Sequence, residues 1–294
     1  MALPADMDKI LLSIGHGYCA RALTARLLSQ GWRVIGTTRS EDKACVMISD
    51  GVEPLIWPGN DLPLADVSHV LTSVAPGGGE DPVLSEAAEA LKGVTHLKWV
   101  GYLSTTGVYG DHGGGWVNEA TPLTPTTKRG EARVKAEAGW QALGLPLHIF
   151  RLAGIYGPGR GPLEKVRRGT ARRIIKKSQI FSRAHVDDIA RVLEASILSP
   201  NPGAIYNVCD DEPAPPEDVT AYAAELLGLP IPPAIAFEDA ELTSMARSFY
   251  GESKRVRNDR IKAELGVVLK YPDYKSGLRS LLAASGALGN IGNA

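Results

Sequence analysis

Cysteine is scarce in this chain: Cys19, Cys45 and Cys209 are the only three. Their number is odd and no two stand at ligand spacing. Neither a disulfide framework nor a zinc site is expected, and a reducing, cytoplasmic setting fits. Net charge is almost absent as well, with 32 Lys and Arg against 33 Asp and Glu and a formal charge of −1. That removes any general pull toward nucleic acid or a membrane surface. No apolar run approaches the ~20 residues of a membrane span. The segment Met1 to Lys9 lacks the apolar stretch of a secretory leader. His16, His69, His96 and His148 show no ligand spacing, so no metal is expected. The five tryptophans are scattered and read as packing. What is present is ordinary globular composition, 44% hydrophobic and 22% charged over 294 residues. It is enough for two domains, or for one large α/β domain with a smaller lobe.

Short apolar segments alternate with helical patterns. The run from Lys9 to Ile14 predicts a buried strand stopped by Gly15, and Ala20 to Gln30 a helix ended by Gly31. Further strands are predicted over 32–37, 53–57, 69–74, 97–103, 146–152 and 204–208. Helices are predicted over 43–50, 82–92, 129–143, 186–198 and 217–227. Such alternation implies a Rossmann-type, doubly wound parallel sheet covered on both faces, with a smaller interleaved C-terminal lobe. Residues 1–155 read as the nucleotide-binding domain, with 184–209 returning to it. Residues 156–183 and 210–294 read as a substrate lobe. Between 160 and 183 nine Lys or Arg face one Glu, whereas 210–246 holds nine Asp or Glu and no Lys or Arg.

The loop Ile14-Gly15-His16-Gly17-Tyr18-Cys19-Ala20 falls between the first strand and the first helix. Gly15 permits a tight turn, Gly17 lets the backbone approach a pyrophosphate, and Ala20 allows close packing of helix on strand. The helix start then offers free N–H groups to the anion. An NAD site would place an acid at the end of the second strand. Here Gly36 to Ser40 contains none, and Arg39 stands ready for a 2′-phosphate. NADP(H) is therefore preferred, with NAD(H) still open, and Arg39 as a solvated loop residue is the competing reading.

The segments Leu103 to Gly110, Glu119 to Pro125, Arg151 to Gly159, His185 to Ala190 and Tyr206-Asn207-Val208 follow in an order that resembles the extended short-chain dehydrogenase/reductase family. Within it, this chain is most similar to an atypical, NAD(P)-dependent epimerase/dehydratase-like branch, because of its glycine loop and of Lys254 to Asn258 with Tyr271-Pro272. The resemblance implies that Asp61 lies near the adenine, although Asp61 as a helix cap is equally open. It implies further that Ser73, Val74 and Ala75 lie beside the nicotinamide ribose, and that Ala153 to Ile155 border the nicotinamide.

The family places a Tyr and a Lys four residues apart on a helix, with a hydroxyl from the fifth strand. Anchored on Gly130 and Glu137, this chain has Arg129 where the Tyr belongs and Arg133 where the Lys belongs. Only Ser104, Thr105 or Thr106 keeps the hydroxyl. Arginine stays protonated, so it cannot relay a proton as a phenol does. The two guanidiniums would bind a phosphate or carboxylate or orient the ribose; alternatively they face solvent or pair with Glu137. Tyr109 or His112 is a candidate relocated acid, and Gly113-Gly114-Gly115 suggests a mobile segment. The basic run reads either as a holder for an anionic, possibly nucleotide-sugar, substrate or as a face balanced by the acidic run. Two functions follow: an NADP-dependent oxidoreductase or epimerase/dehydratase, or a non-catalytic NADP(H)-binding sensor. Homodimerisation through helices 82–92 and 129–143 is an expectation drawn from the family.

Overall fold

The computed structural model describes residues 9–289. The reading of the N-terminal segment therefore falls, for residues 1–8, outside the described residues, as does the last part of the expected lobe, 290–294. Seven strands form the central sheet: β1 (Ile10–Ile14), β2 (Arg33–Thr38), β3 (Glu53–Ile56), β4 (His69–Thr72), β5 (Trp99–Thr105), β6 (Leu147–Leu152) and β7 (Ile205–Val208). They are ordered β3-β2-β1-β4-β5-β6-β7 and every neighbouring pair is parallel. All five residues of β1 are buried, which is why the run is continuously apolar rather than alternating. Leu12 pairs with Ile35 on one side and Val70 on the other.

Helices close both faces. The first four are α1 (Tyr18–Leu28), α2 (Glu41–Ser49), α3 (Pro82–Lys92) and α4 (Lys128–Gln141), followed by α5 (Pro162–Arg167) and α6 (Val186–Leu198). On one face Leu23 and Leu27 of α1 meet Phe150, Ile189 and Leu193. On the other, Val83, Leu91 and Trp140 pack on Val70 and Ile149. Leu23 is fully buried, and truncating such a side chain to Ala costs roughly 2–5 kcal/mol. Among the described residues no helix is long and apolar enough to cross a membrane.

Of the remaining helices, α7 (Pro216–Leu226), α8 (Ser244–Phe249) and α10 (Tyr274–Gly289) build a lobe over the C-terminal edge of the sheet, while α9 (Asp259–Leu265) packs Ile261 into the sheet-face core with Ile189 and Leu193. Tyr156, Leu163, Val219, Ala223 and Leu278 form the lobe's own small core. Three short parallel pairs, which periodicity did not predict, stitch it together. Strand Gly154–Tyr156 pairs with Arg183–His185, Arg173–Ile175 with Ala234–Ala236, and Trp116–Val117 with Arg255–Val256. Two- and three-residue strands are too short to show a pattern of their own. The basic and acidic runs thus lie side by side.

Candidate functional site

Strand order reverses between β1 and β4, the place where this architecture opens a crevice. Gly15 sits there with φ +75°, and its N–H donates to Thr37 Oγ1 at 2.8 Å. A Cβ on Gly15 would lie 2.7 Å from Val74 Cγ2, so the turn tolerates no side chain. Ser73 Oγ donates to the Gly15 carbonyl. Gly15, Ser73 and Val74 are therefore brought together, and Ala75 continues from them as an exposed residue. His16 donates its backbone N–H to Thr37 O at 3.0 Å, with Nδ1 3.1 Å from Ser13 Oγ. Burial, and then Arg21, push its pKa down to about 4, so its ring is neutral.

Gly17 caps α1 without a side chain, and no described residue accepts a hydrogen bond from the Tyr18, Cys19 or Ala20 N–H groups. By contrast α2, α3, α4 and α6 are capped by the side chains of Ser40, Asp81, Thr127 and His185. The first turn of α1 also holds no acid. A Cβ on Gly17 would come no closer than 3.7 Å, to Gly15 O, so the space before these amides is open to an anion. Burial pushes the Tyr18 hydroxyl up to about 12 and the Cys19 thiol up to about 11, and the Arg160 guanidinium pulls both back.

The other expected cofactor residues border the same edge. Arg39 follows β2 with an exposed side chain that bonds no described residue. Asp61 is exposed, and it caps nothing: the short 3-10 turn Leu64–Asp66 begins from Pro63. Ala153 is buried and donates its N–H to Val208 O at 3.1 Å, while Ile155 is half-buried.

At the end of β5 the candidates separate. Ser104 is buried, with Oγ donating to Glu137 Oε1 at 2.5 Å, so its hydroxyl is committed to the interior. Thr105 is half-buried, and its Oγ1 accepts the Gly107 N–H at 3.1 Å, which leaves the hydroxyl proton available to a ligand. Tyr109 is completely buried: its Oη donates to Asn207 Oδ1 at 2.7 Å and accepts from Arg151 Nη1 at 3.0 Å. The phenol therefore faces the interior rather than the crevice. His112 is held with Nε2 3.1 Å from Tyr109 O.

Neither Arg129 nor Arg133 pairs with Glu137. Arg129 is exposed, with its guanidinium 4.5 Å from the Phe249 ring centroid. Arg133 Nη1 donates to Tyr102 Oη at 2.8 Å and Leu103 O at 2.7 Å, while its Nε and Nη2 bond no described residue. Glu137 instead joins Arg151, with Nη2 to Oε2 at 2.7 Å. Ser104, Glu137, Arg151, Tyr109 and Asn207 thus form one buried network beneath the site. Arg151 and Asn207 stood inside motifs but carried no local sign of this pairing.

The triple-glycine segment is held by hydrogen bonds to residues 253–255. His112 and Gly114 both donate their N–H to Ser253 O, at 3.1 and 2.9 Å, and Asp111 Oδ1 accepts the Ser253 N–H at 2.7 Å. Lys254 is buried, donating to Gly110 O at 2.6 Å and Glu252 Oε2 at 2.7 Å. Four of the nine cations in the basic run are engaged. Arg167 binds Glu164 and Ser285, Arg172 the Glu241 carbonyl, Lys176 the Tyr250 carbonyl, and Arg183 the Phe181 and Ala214 carbonyls. Lys165, Arg168 and Lys177 remain exposed. Among the described residues no group of three or more His, Cys, Asp or Glu is placed to hold a metal.

No family model matches the chain. A conserved protein of unknown function from Silicibacter pomeroyi is 61% identical, with a TM-score of 0.92 over 94% of this chain and 99% of that one. A Methylobacillus flagellatus protein, provisionally described as an NAD-dependent epimerase/dehydratase, is 28% identical with a TM-score of 0.73 over 95% and 99%. The UDP-glucuronic acid 4-epimerase of Bacillus cereus, solved with UDP-glucuronic acid and NAD, shares 18% identity with a TM-score of 0.76 over 95% and 99%, a likeness of fold. The chain thus has the fold of NAD-dependent epimerase/dehydratase-like proteins and is similar in sequence to one so described.

Proposed function

We propose that the protein binds NADP(H) and acts as an oxidoreductase of the epimerase/dehydratase type on a small anionic substrate. The observation that carries this reading is the uncapped start of α1, where three N–H groups and an open approach at Gly17 suit a diphosphate. Arg39, free at the end of β2, would grip a 2′-phosphate bidentately, which favours NADP over NAD. When bound, the nicotinamide supplies or accepts a hydride. Thr105 would orient a substrate oxygen with its hydroxyl proton. Arg133 is fixed on one edge by Tyr102 and Leu103, and would hold a ribose hydroxyl or substrate anion with the other. Arg129 adds positive charge at the position the family gives to its acid, without relaying a proton. The Bacillus cereus complex makes a nucleotide sugar a reasonable substrate class to test first, with Lys165, Arg168 and Lys177 as the exposed cations nearby in sequence.

A second reading, a dinucleotide-binding sensor without turnover, is favoured by the burial of Tyr109 together with Arg129 in the acid's place. One experiment separates the two. NADPH binding is measured by fluorescence, and the bound cofactor is then offered a panel of carbonyl acids and nucleotide sugars. Cofactor oxidation by any member, or conversion of any nucleotide sugar with the cofactor returned unchanged, supports the enzyme; binding with neither supports the sensor, and no binding overturns both.

A further inference from the structure

Arg160 belongs in sequence to the substrate lobe, yet it stands at the start of α1. The turn that carries it is closed by two backbone bonds, Gly157 N–H to Arg160 O at 2.8 Å and Arg160 N–H to Gly157 O at 3.0 Å. That turn is docked on α1 so closely that a Cβ on Gly157 would lie 2.5 Å from Tyr18 Oη and 2.7 Å from Val186 Cγ1. Tyr18 Oη in turn donates to Pro158 O at 3.0 Å. The Arg160 guanidinium consequently sits 5.5 Å from the Tyr18 ring centroid. It makes no hydrogen bond or ion pair with any described residue, whereas most of the other arginines in the basic run are engaged. Its positive charge is felt at both Tyr18 and Cys19, the first two residues of the uncapped turn.

We propose that Arg160 is a clamp on the diphosphate of a bound nicotinamide dinucleotide, closing from the lobe side on an anion that the α1 amides hold from the other. The inference rests on the cofactor reading above. A guanidinium offers a planar fork that matches phosphate oxygens. Stacking on Tyr18 holds that fork near its working position, so less side-chain freedom is lost on binding. Because NAD and NADP share the diphosphate, Arg160 acts on both alike, in contrast to Arg39.

The test is calorimetric titration of NADPH and NADH into the full-length protein and into Arg160→Gln, Arg160→Ala, Arg160→Lys and Arg39→Ala variants. Arg160→Gln keeps a planar group over Tyr18 without the charge. Both Arg160→Gln and Arg160→Ala are expected to weaken NADPH and NADH by the same factor, about tenfold. Arg160→Lys should recover part of that loss, and Arg39→Ala should weaken NADPH alone. Wild-type affinity in Arg160→Gln would overturn the clamp and leave the cofactor reading intact. Failure of the wild-type protein to bind either dinucleotide would overturn the cofactor reading itself. A loss of affinity that tracks a lower ligand-free Tm and is not rescued by Lys would assign Arg160 to loop stability and overturn the clamp.

Discussion

Glu137 and Arg151 face each other inside the protein, Oε2 to Nη2 at 2.7 Å, with both side chains 3% exposed. Each carries further bonds, Glu137 from Ser104 and Arg151 to Tyr109, so neither charge is left without a partner. Removing one partner strands the other in a low-dielectric interior. Glu137→Ala is expected to destabilise the fold by roughly 3–5 kcal/mol, whereas the apolar double substitution Glu137→Leu/Arg151→Met costs less than either single change. Urea unfolding of Glu137→Leu, Arg151→Met and the double variant checks this; a double variant worse than either single one would contradict it.

The two loop glycines are expected to fail differently. Gly15→Ala places a Cβ against Val74 at a φ of +75° and should lower stability by about 1–3 kcal/mol. Gly17 has φ −100°, ordinary for any residue, and open space beyond it. Gly17→Val should therefore fold normally and lose dinucleotide affinity by about tenfold or more. Thermal melts beside binding titrations decide, and a Gly17→Val protein that binds as the wild type does would count against the loop as a phosphate site.

His185 sits at the start of α6, where Nδ1 accepts the Asp187 N–H at 3.2 Å and Nε2 is buried without a partner. Burial pushes its pKa down to about 4, against an upward pull from Asp187 and with a downward one from Lys270. In the unfolded chain a histidine titrates near ~6.5. Between those values the unfolded state takes up a proton that the folded state refuses. Stability present above ~6.5 is thus lost as pH falls toward 4. His185→Asn keeps a cap acceptor and does not titrate, so its unfolding free energy should fall less over that window, by about 2–3 kcal/mol. Parallel pH dependences for the two proteins would rule out His185 as a source of the slope.

Tyr109→Phe removes a buried hydroxyl that serves Asn207 and Arg151. A loss of about 1–3 kcal/mol in stability is expected, with cofactor affinity and any turnover unchanged. A selective loss of turnover at unaltered Tm would instead put the phenol in the chemistry.

The central sheet was legible because its strands are continuous apolar runs punctuated by glycine, and Gly15 occupies a turn where backbone geometry restricts the residue. Helix ends moved by a residue or two, as at Lys128–Gln141, which Thr127 caps, since capping rather than periodicity sets them. What local sequence could not reveal was partnership across the chain. Glu137 was visible as a landmark, but its bond to Arg151 depends on α4 lying against β6. The triple glycine read as a flap because the residues that pin it, 253–255, come about 140 positions later. Tyr109 looked available for proton transfer because nothing near it in sequence shows that Asn207 would bury it.

The parallel pairing of Arg173–Ile175 with Ala234–Ala236 has a consequence for how a ligand arrives. It brings the basic and acidic runs together, so that Arg183 acts on Asp210 and Arg173 on Glu217. Opposite charges that face each other partly cancel at a distance, so the lobe projects a weaker far field than either run alone would. An anionic ligand would reach the crevice by ordinary diffusion rather than by long-range steering, with an association rate only weakly dependent on salt. Selectivity for anions would then arise on contact, at the few cations the interior leaves unspent.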